Sequence, residues 1–341
     1  MSTLGSVQQK LSCVFETIVL EQSSAKRANQ SYAVVASENV SKHAIDSKIE
    51  SATVTEKLDG TCVYVHEFQG KPWLWARLDR KPTKAADKRF KTFQRTHREW
   101  RLTASRGGGE TEEPIFEWGS LVKDFKEVPS NWIPAQQVPL NEEGEPLADK
   151  IGHIPGWVPV DPSSRQHLWH LSTVDLTNGT AIILRPSSDD DTAEIKLEIT
   201  TAPLHLLLES TLELIGTNIN ANPYQLGTKQ QPLHVLVRHG AITFAKSPPL
   251  QFSDLKAWFE TCPDGRVEGI VWHCHDGQMF KLHRTHLGLT WPISGRLRLH
   301  TYPVIVNVDL TPMDTAATPQ FASLSNHNGT LFSSITEINM S

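Results

Sequence analysis

The pattern that most constrains the fold is a hairpin signal in residues 266–283, RVEGIVWHCHDGQMFKLH. Two runs rich in β-branched and aromatic residues flank the dipeptide Asp276-Gly277, which favours a two-residue type I′ turn. A turn of that kind pairs Trp272 with Lys281, because cross-strand partners are counted outward from the turn. The segment therefore predicts two antiparallel strands in a fixed register.

Alternation along these strands assigns each side chain to one of two faces. The first face holds a carboxylate and an amine that project from one rigid hairpin, and its members are Glu268, Ile270, Trp272, Lys281 and His283. The second face is expected to point into the core, and its members are Val271, His273, Phe280 and Leu282. A cross-strand pair of opposite charges can be purely structural, so other segments must decide its meaning.

A second segment, TEKLDGTCVYV at residues 55–65, places a lysine just before a strand. From Thr61 onward the residues are β-branched, aromatic or small, which predicts a strand. Gly60 interrupts the backbone where that strand begins, so we expect Lys57 on a tight turn, with its amine aimed by the fold. A surface lysine beside an ordinary Asp-Gly turn is the alternative, because K-x-D-G is a short match.

A third segment, TLELIGTNINANPYQLG at residues 211–227, carries a carboxylate inside an apolar run. Residues 204–214 show a helical apolar stripe, and the asparagines that follow predict an ordered loop. Burying the carboxylate of Glu213 is costly unless it has a partner. A surface glutamate at the end of a helix is the other interpretation.

The positive charge of this chain is concentrated in one stretch. The net charge is −5, yet residues 77–106 contain eleven Lys or Arg against three acids. Apolar and aromatic residues recur at helical spacing there, which predicts one packed face and one cationic face; they are Ala86, Phe90, Phe93, His97 and Trp100. We expect Lys84, Lys88 and Lys91 to contact a phosphate backbone. A solvated basic helix face is the alternative.

Composition limits the class of protein. A hydrophobic content of 38% with 21% charged residues is typical of a soluble globular chain. No apolar run approaches the roughly 18 to 20 residues of a membrane span, and the first residues have no secretory signature. Four scattered cysteines predict free thiols in a reducing compartment. We therefore expect an intracellular protein without a membrane partner, and a monomer.

Strands and helices mix without regular alternation, which favours an α+β fold with mostly antiparallel sheets. Residues 1–310 are expected to form one domain with an N-terminal extension. Residues 311–341 are rich in Thr, Ser, Asn and Ala without periodicity. That composition predicts a disordered tail.

Four short motifs resemble motifs I, III or IIIa, IV and V of the covalent nucleotidyltransferases, which include polynucleotide ligases and mRNA capping enzymes. They are Lys57-Leu58-Asp59-Gly60, Glu213-Leu214-Ile215-Gly216, Glu268-Gly269-Ile270-Val271 and Phe280-Lys281-Leu282-His283. Longer strings, among them LWARLDRKP, GHIPGWVPV, EGIVWH and KLHRTHLGLTWPI, are similar to the ATP-dependent 5′-to-3′ RNA ligases of vertebrates. This likeness runs from about residue 4 to about residue 310.

The resemblance implies a nucleotidyltransferase (adenylation) fold, here without a C-terminal OB domain, and a role for each motif residue. Lys57 would attack ATP and carry AMP, and Lys281 would meet the α-phosphate. Glu213 and Glu268 would hold Mg²⁺ or Mn²⁺. Arg77 would contact the sugar or a phosphate. The substrate would be RNA with 5′-phosphate and 3′-hydroxyl ends, such as a hairpin or a tRNA-like break.

The chain departs from the family pattern at two positions. Cys62 stands where K-x-D-G-x-R motifs have arginine, and His283 stands where motif V often has a second lysine. The second departure leaves His283 or Arg284 as the further cation of motif V. Asp59 is expected to fix the motif I loop rather than to bind metal.

Three other functions remain open at this stage. The chain could be another polynucleotide ligase or a capping-type nucleotidyltransferase. It could also be a non-catalytic RNA-binding relative that kept the fold. A metal-binding module built on His273-Cys274-His275 is the third, although no second ligand pair appears at a suitable spacing.

Overall fold

The computed structural model describes residues 4–20, 33–104, 112–187, 195–309 and 319–338. By its contacts the chain divides into two compact units. The first unit comprises Met1–Ala76 and Val160–Ser341, and the second comprises Arg77–Pro159. Sheets and few helices make up the described residues, in a mixed α and β architecture.

The strands, in chain order, are β1 (Ser12–Cys13), β2 (Phe15–Leu20), β3 (Ala33–Val40), β4 (Thr53–Lys57), β5 (Thr61–Phe68), β6 (Lys71–Arg77), β7 (Ile133–Pro134), β8 (Gly156–Pro159), β9 (Val174–Asp175), β10 (Thr180–Pro186), β11 (Leu197–Pro203), β12 (Thr211–Gly216), β13 (His234–Arg238), β14 (Gly269–His273), β15 (Met279–His283), β16 (Val304–Asn307) and β17 (Leu331–Phe332). The α-helices are α1 (Lys42–Asp46), α2 (Lys84–Ala104), α3 (Leu121–Asp124), α4 (Leu168–Leu171), α5 (Phe252–Thr261) and α6 (Pro319–Ser325).

Two sheets organise the first unit. The smaller sheet has the strand order β1-β15-β14-β4, and the larger sheet runs β17-β16-β11-β10-β13-β12-β5-β6. Most pairings are antiparallel, as the sequence predicts, and the parallel ones are β1 with β15, β10 with β13, and β11 with β16. The central strands β13 and β14 are buried along almost their whole length, on both faces.

Each sheet packs against its own hydrophobic cluster. The cluster of the larger sheet includes Ile182, Leu184 and Ile199 and also the side chains of α6. The cluster of the smaller sheet includes Ile270, Trp272 and Phe280 together with α5. Strands that carry functional residues are therefore held from behind by close-packed apolar side chains.

The hairpin of β14 and β15 forms as predicted, but the predicted register is wrong by one residue. Trp272 pairs with Phe280, and Lys281 pairs with Val271. The connection has three residues, because the Cys274 amide donates to the Gln278 carbonyl at 2.9 Å and Gly277 adopts a φ of +84°. A turn with a left-handed glycine in third place competes with the type I′ turn for Asp-Gly sequences.

The one-residue shift exchanges the faces of β15 relative to β14. Ile270, Trp272, Phe280 and Leu282 are the core-facing residues. Lys281 instead shares the cavity-lining face with Val271 and His273, which are themselves buried. The prediction that Val271 and His273 share a face with Phe280 and Leu282 is therefore wrong.

Two further predictions fail for packing reasons. Residues 204–214 do not form a helix: a 3₁₀ turn at Leu204–Leu207 precedes β12, so Glu213 lies within a strand. The predicted disordered tail contains α6 and β17, and Phe321 and Ile335 are completely buried. These few apolar residues join an existing core, which composition alone does not reveal. Residues 310–318 and 339–341 of the tail lie outside the described residues.

In the second unit, α2 is the basic helix that the sequence predicts. Its Ala86 and Phe90 are buried, and Phe90 packs against Phe116 and Trp118. Arg89 does not belong to the free cationic face, because its guanidinium makes two hydrogen bonds, of 3.2 and 2.8 Å, to Asp124.

None of the four cysteines, all of which are described, forms a disulfide, as predicted. Among the described residues, no helix has the length and apolar character needed to cross a membrane.

Candidate active site

The chain passes from the smaller sheet to the larger one at the segment that carries Lys57. Lys57 is the last residue of β4, and β5 begins at Thr61 in the other sheet. The intervening loop, residues 58–60, borders a cavity of about 270 Å³. Lys57 therefore ends a strand rather than sitting on the expected turn, and hydrogen bonds between β4 and β14 fix its backbone.

Glu268 is the ionic partner of Lys57. The Lys57 Nζ lies 2.5 Å from Glu268 Oε2, and the carboxylate is only 3% exposed. Gly269 is the register partner of Lys57, so Glu268 is held at the very start of β14. The two residues that the sequence assigned to separate motifs thus form one ion pair, in which the carboxylate is buried and the lysine side chain is 24% exposed.

The charge around Lys57 decides its protonation. Burial lowers the pKa of this amine, but the carboxylates of Glu268, Glu213 and Asp59 outweigh burial, so its pKa is raised above the ordinary value. A like-charge effect of Lys281, which would lower this pKa, therefore does not prevail in the protein alone. At neutral pH the resting amine is protonated.

Hydrogen bonds from three directions fix Asp59 in the loop. Its amide donates to the Tyr224 hydroxyl at 2.8 Å, and its carboxylate accepts from Asn220 Nδ2 at 2.9 Å and from Trp291 Nε1 at 2.7 Å. Both carboxylate oxygens are thus engaged by neutral donors. The prediction that Asp59 fixes the loop is confirmed.

Gly60 lets the loop lie directly against the larger sheet. A Cβ built at this position would stand 2.3 Å from the Leu214 carbonyl oxygen and 2.9 Å from Glu213 Cγ. The Gly60 amide donates to Glu213 Oε1 at 2.9 Å. Only glycine permits so close an approach of the two backbones.

Glu213 is the partnered carboxylate that its apolar surroundings require. Besides Gly60, its Oε2 lies 2.9 Å from His239 Nε2. His239 Nδ1 in turn lies 2.8 Å from Thr211 Oγ1. The side chain of Glu213 is thereby oriented toward the same cavity as Lys57.

Lys281 and His273 line the cavity from the smaller sheet. His273 Nε2 lies 3.0 Å from Thr55 Oγ1, while its Nδ1 has no partner among the described residues. Burial lowers the pKa of His273 to about 4, so the ring is neutral. Besides Lys57, the cavity wall thus carries the amine of Lys281, the carboxylate of Glu213 and the imidazoles of His239 and His273.

A buried ion pair supports β4 next to the lysine. Arg298 Nη1 lies 2.8 Å from Glu56 Oε2, and both side chains are almost fully buried. The guanidinium also lies 4.1 Å from the centre of the Phe244 ring and donates to the Thr243 carbonyl. This pair anchors the strand that ends at Lys57.

Comparison with known proteins gives a family for this arrangement. A family model described as RNA ligase 1 matches residues 1–341. The chain belongs to the RNA ligase 1 family. It is 48% identical to RNA ligase 1 of Danio rerio over 340 residues, which cover 99% of both chains. It is 49% identical to RNA ligase 1 of Rattus norvegicus over 316 residues, covering 93% of this chain and 91% of the relative, and 49% identical to that of Mus musculus over 310 residues, covering 91% and 89%.

Within this RNA ligase 1 family chain, the two candidates for a further motif V cation differ. Arg284 donates to the carbonyls of Phe259, Gly265 and Thr290, so its guanidinium is a buried structural anchor. His283 Nδ1 lies 2.5 Å from Thr285 Oγ1. The residue also borders a second cavity together with Glu268. Both residues border that second cavity, so the further cation of motif V stays a prediction between them.

The remaining predicted residues lie in the second unit. Arg77 Nε lies 2.6 Å from Asp79 Oδ1, and the guanidinium lies 4.7 Å from the centre of the Trp157 ring. Lys84, Lys88 and Lys91 are exposed on α2, and Lys91 also pairs with Asp87 at 2.7 Å. Their roles with sugar or phosphate stay predictions.

The sequence reasoning missed several residues of the site in this family member. His239 and Trp291 each contact a motif residue through a side-chain nitrogen, and neither stands in a recognisable motif. Tyr224 was noticed only as part of a loop, although its hydroxyl accepts the Asp59 amide. The one sequence signal for Trp291 was its place before a proline in the string KLHRTHLGLTWPI.

Proposed function

We propose that this protein is an ATP-dependent RNA ligase that joins RNA 5′-phosphate and 3′-hydroxyl ends through a lysyl-AMP intermediate, on a nucleotidyltransferase (adenylation) fold. The observation that carries the proposal is Lys57, held at the end of a strand in a cavity beside Glu268, Glu213 and Lys281. The relatives described above are named RNA ligase 1, which supports RNA as the substrate.

In the first step, Lys57 Nζ attacks the α-phosphorus of ATP. A nitrogen–phosphorus bond forms, the bond from that phosphorus to the bridging oxygen breaks, and pyrophosphate leaves. The ammonium proton must be lost first, because the protonated amine has no lone pair. Glu268 Oε2, at 2.5 Å, is the nearest base to that proton. Lys281 offers positive charge to the α-phosphate from the neighbouring strand.

A divalent cation fits Glu268 better than Glu213. Glu268 borders a second cavity with Asn220 and Thr285, whose side chains carry the oxygen donors that Mg²⁺ prefers, and His283 and Arg284 also line it. Glu213 stands instead beside a sulfur and a nitrogen donor. When bound, the cation supplies positive charge that offsets the triphosphate and opposes the charged form of Lys57.

In the later steps, AMP passes from Lys57 to the RNA 5′-phosphate, and a 3′-hydroxyl then displaces AMP to close the strand. Contact with the RNA backbone is assigned to Lys84, Lys88 and Lys91, which are exposed on one helix. Three cations hold only a few phosphates. The RNA must therefore bring its own ends together, as a hairpin or a tRNA-like break does, because base pairing raises the local concentration of the ends by orders of magnitude.

Ligation of matched substrates tests this function. The protein is incubated with ATP, Mg²⁺ and a nicked hairpin of RNA, its all-DNA counterpart, and the same RNA ends as free single strands. We expect efficient sealing of the RNA hairpin, weaker joining of the single strands and poor joining of DNA. Equal rates on the all-DNA hairpin would contradict the RNA preference.

Covalent labelling separates the related reactions. Unlabelled ATP, GTP or NAD is added during labelling with α-labelled ATP, and the amount of labelled protein is measured. We expect only ATP to reduce this labelling. Competition by GTP would identify a capping-type enzyme instead. Absence of any adduct, with RNA still bound, would identify a non-catalytic relative.

A further inference from the structure

A mixed cluster of metal-binding side chains stands on the larger sheet at the wall of the cavity. Cys62 on β5 and Glu213 on β12 are direct cross-strand partners, and His239 follows β13. One ligand atom from each, the sulfur, a carboxylate oxygen and an imidazole nitrogen, lies within 4.8 Å of the others. All three residues are half-buried and line the same cavity. Three adjacent segments of the sheet thus place their side-chain donor atoms close together.

Hydrogen bonds outside the cluster orient two of the donors. His239 Nδ1 lies 2.8 Å from Thr211 Oγ1, which leaves Nε2 facing Glu213. Glu213 Oε1 accepts from the Gly60 amide, which leaves Oε2 facing His239. Metal-binding histidines regularly donate their second N–H to such a fixed acceptor. The Thr211 hydroxyl is itself held by the Val7 amide at 2.8 Å.

The donor set selects the kind of ion. A thiolate, an imidazole and a carboxylate suit Zn²⁺, whereas Mg²⁺ takes oxygen donors almost exclusively. Zinc bonds of about 2.0 to 2.3 Å place tetrahedral ligand atoms roughly 3.3 to 3.8 Å apart. The donor atoms already lie within 4.8 Å of one another, so movements of about 1 Å reach that spacing.

We propose that Cys62, Glu213 and His239 bind a zinc ion, with the fourth coordination position open to the cavity that Lys57 lines. Binding replaces the thiol proton of Cys62, and about one proton passes to solvent for each ion bound. His239 then carries its remaining proton on Nδ1, toward Thr211. This ion is distinct from the one assigned to Glu268.

Cobalt substitution tests the site without nucleotide or RNA, so the outcome does not depend on the proposed function. The full-length protein is stripped with EDTA, desalted and titrated with Co²⁺, and then with Zn²⁺ against a chromophoric chelator. We expect a thiolate-to-cobalt charge-transfer band, tetrahedral ligand-field bands, and a stoichiometry of about one. Absence of the charge-transfer band in the wild-type protein would overturn the proposal.

Variants assign the donors. Cys62→Ser and His239→Gln should each lower zinc affinity by about 100-fold or more, and Cys62→Ser should also remove the charge-transfer band. Thr211→Val should lower affinity about tenfold, and Thr211→Ser should keep it. Cys262→Ser, at a thiol outside the cluster, should bind zinc as the wild type does. Undiminished zinc binding by Cys62→Ser, or loss of binding in Cys262→Ser, would overturn the assignment.

Discussion

Lys57 Nζ and Glu268 Oε2 lie 2.5 Å apart, and the carboxylate is almost fully buried. The lysine that we propose to act as a neutral amine is thus held in its charged form, with a raised pKa. Formation of the lysyl-AMP adduct should therefore report the protonation of Lys57.

We predict that single-turnover adenylylation accelerates with pH. Because the pKa of Lys57 is raised above its ordinary value, the neutral fraction of the free enzyme grows about tenfold per pH unit across the neutral range. The rate at limiting ATP is measured by rapid quench between about pH 6 and about pH 9. In Glu268→Gln the slower reaction should reach its plateau at lower pH, since the main charge that raises this pKa is gone. A flat profile in the wild type would contradict the assignment.

We predict that Gly60→Ala abolishes adenylylation while the protein stays folded. The added methyl group would meet the Leu214 carbonyl at 2.3 Å, so the loop that carries Lys57 must move away from the larger sheet. Covalent labelling by α-labelled ATP and the thermal transition are both measured. Gly5→Ala is the matched control, because its Cβ would meet only Met279 Cε, at 3.9 Å. Wild-type labelling of Gly60→Ala would show that the close approach is dispensable.

We predict that Arg298→Met lowers the free energy of unfolding by about 3 to 5 kcal/mol, because it leaves the Glu56 carboxylate buried without its partner. Lys91→Met is the control: Lys91 is 67% exposed and its partner Asp87 is 40% exposed, so the loss should stay below about 1 kcal/mol. Denaturant unfolding measures both. Equal losses would show that burial of the first pair carries no special weight.

The loss of unfolding free energy caused by Arg298→Met should become larger as pH rises. Burial raises the pKa of Glu56, and Arg298 opposes that shift only in part. A carboxyl group that binds its proton more tightly in the folded protein contributes less stability as pH increases. Without Arg298 the pKa of Glu56 in the folded protein rises further. The difference in free energy of unfolding between Arg298→Met and the wild type should therefore be small in mild acid and large in mild alkali.

Much of this arrangement could be predicted from the sequence. Lys57, Glu213, Glu268 and Lys281 stand in short motifs, and the structure brings all four to one cavity or its ion pair. These residues could be recognised although they are far apart along the chain, because each motif carries its own residue pattern. The basic helix was predictable for a similar reason, since charge and periodicity are local.

The rest depends on contacts between distant segments. The register of the hairpin rests on one extra residue at Cys274-Gln278, and sequence patterns for two- and three-residue turns overlap. The apolar pattern around Glu213 predicts a helix, but the segment forms β12 because β5 and β13 pair with it on both sides. His239 and Trp291 were invisible for the same reason: their partners lie elsewhere in the chain.

We predict that neutralising Lys84, Lys88 and Lys91 together weakens RNA binding while adenylylation of Lys57 stays close to the wild-type rate. Three lost phosphate contacts should make the slope of log affinity against log salt shallower by about 2 for single-stranded RNA. Binding is measured by fluorescence anisotropy over a salt series. The control carries Gln at Lys42, Lys229 and Lys246, which are exposed lysines of the first unit. Equal slopes for the two triple variants would remove the basic helix from the RNA interface.

The most direct test of the account is the position of the nucleotide on the protein. The chain is incubated with α-labelled ATP and Mg²⁺, digested and mapped by mass spectrometry, beside Lys57→Ala and the control Lys71→Ala, which removes an exposed lysine at the start of β6. We predict one AMP adduct on Lys57 in the wild type and in Lys71→Ala, and no adduct in a folded Lys57→Ala. An adduct on another residue, or labelling that persists in Lys57→Ala, would contradict the account.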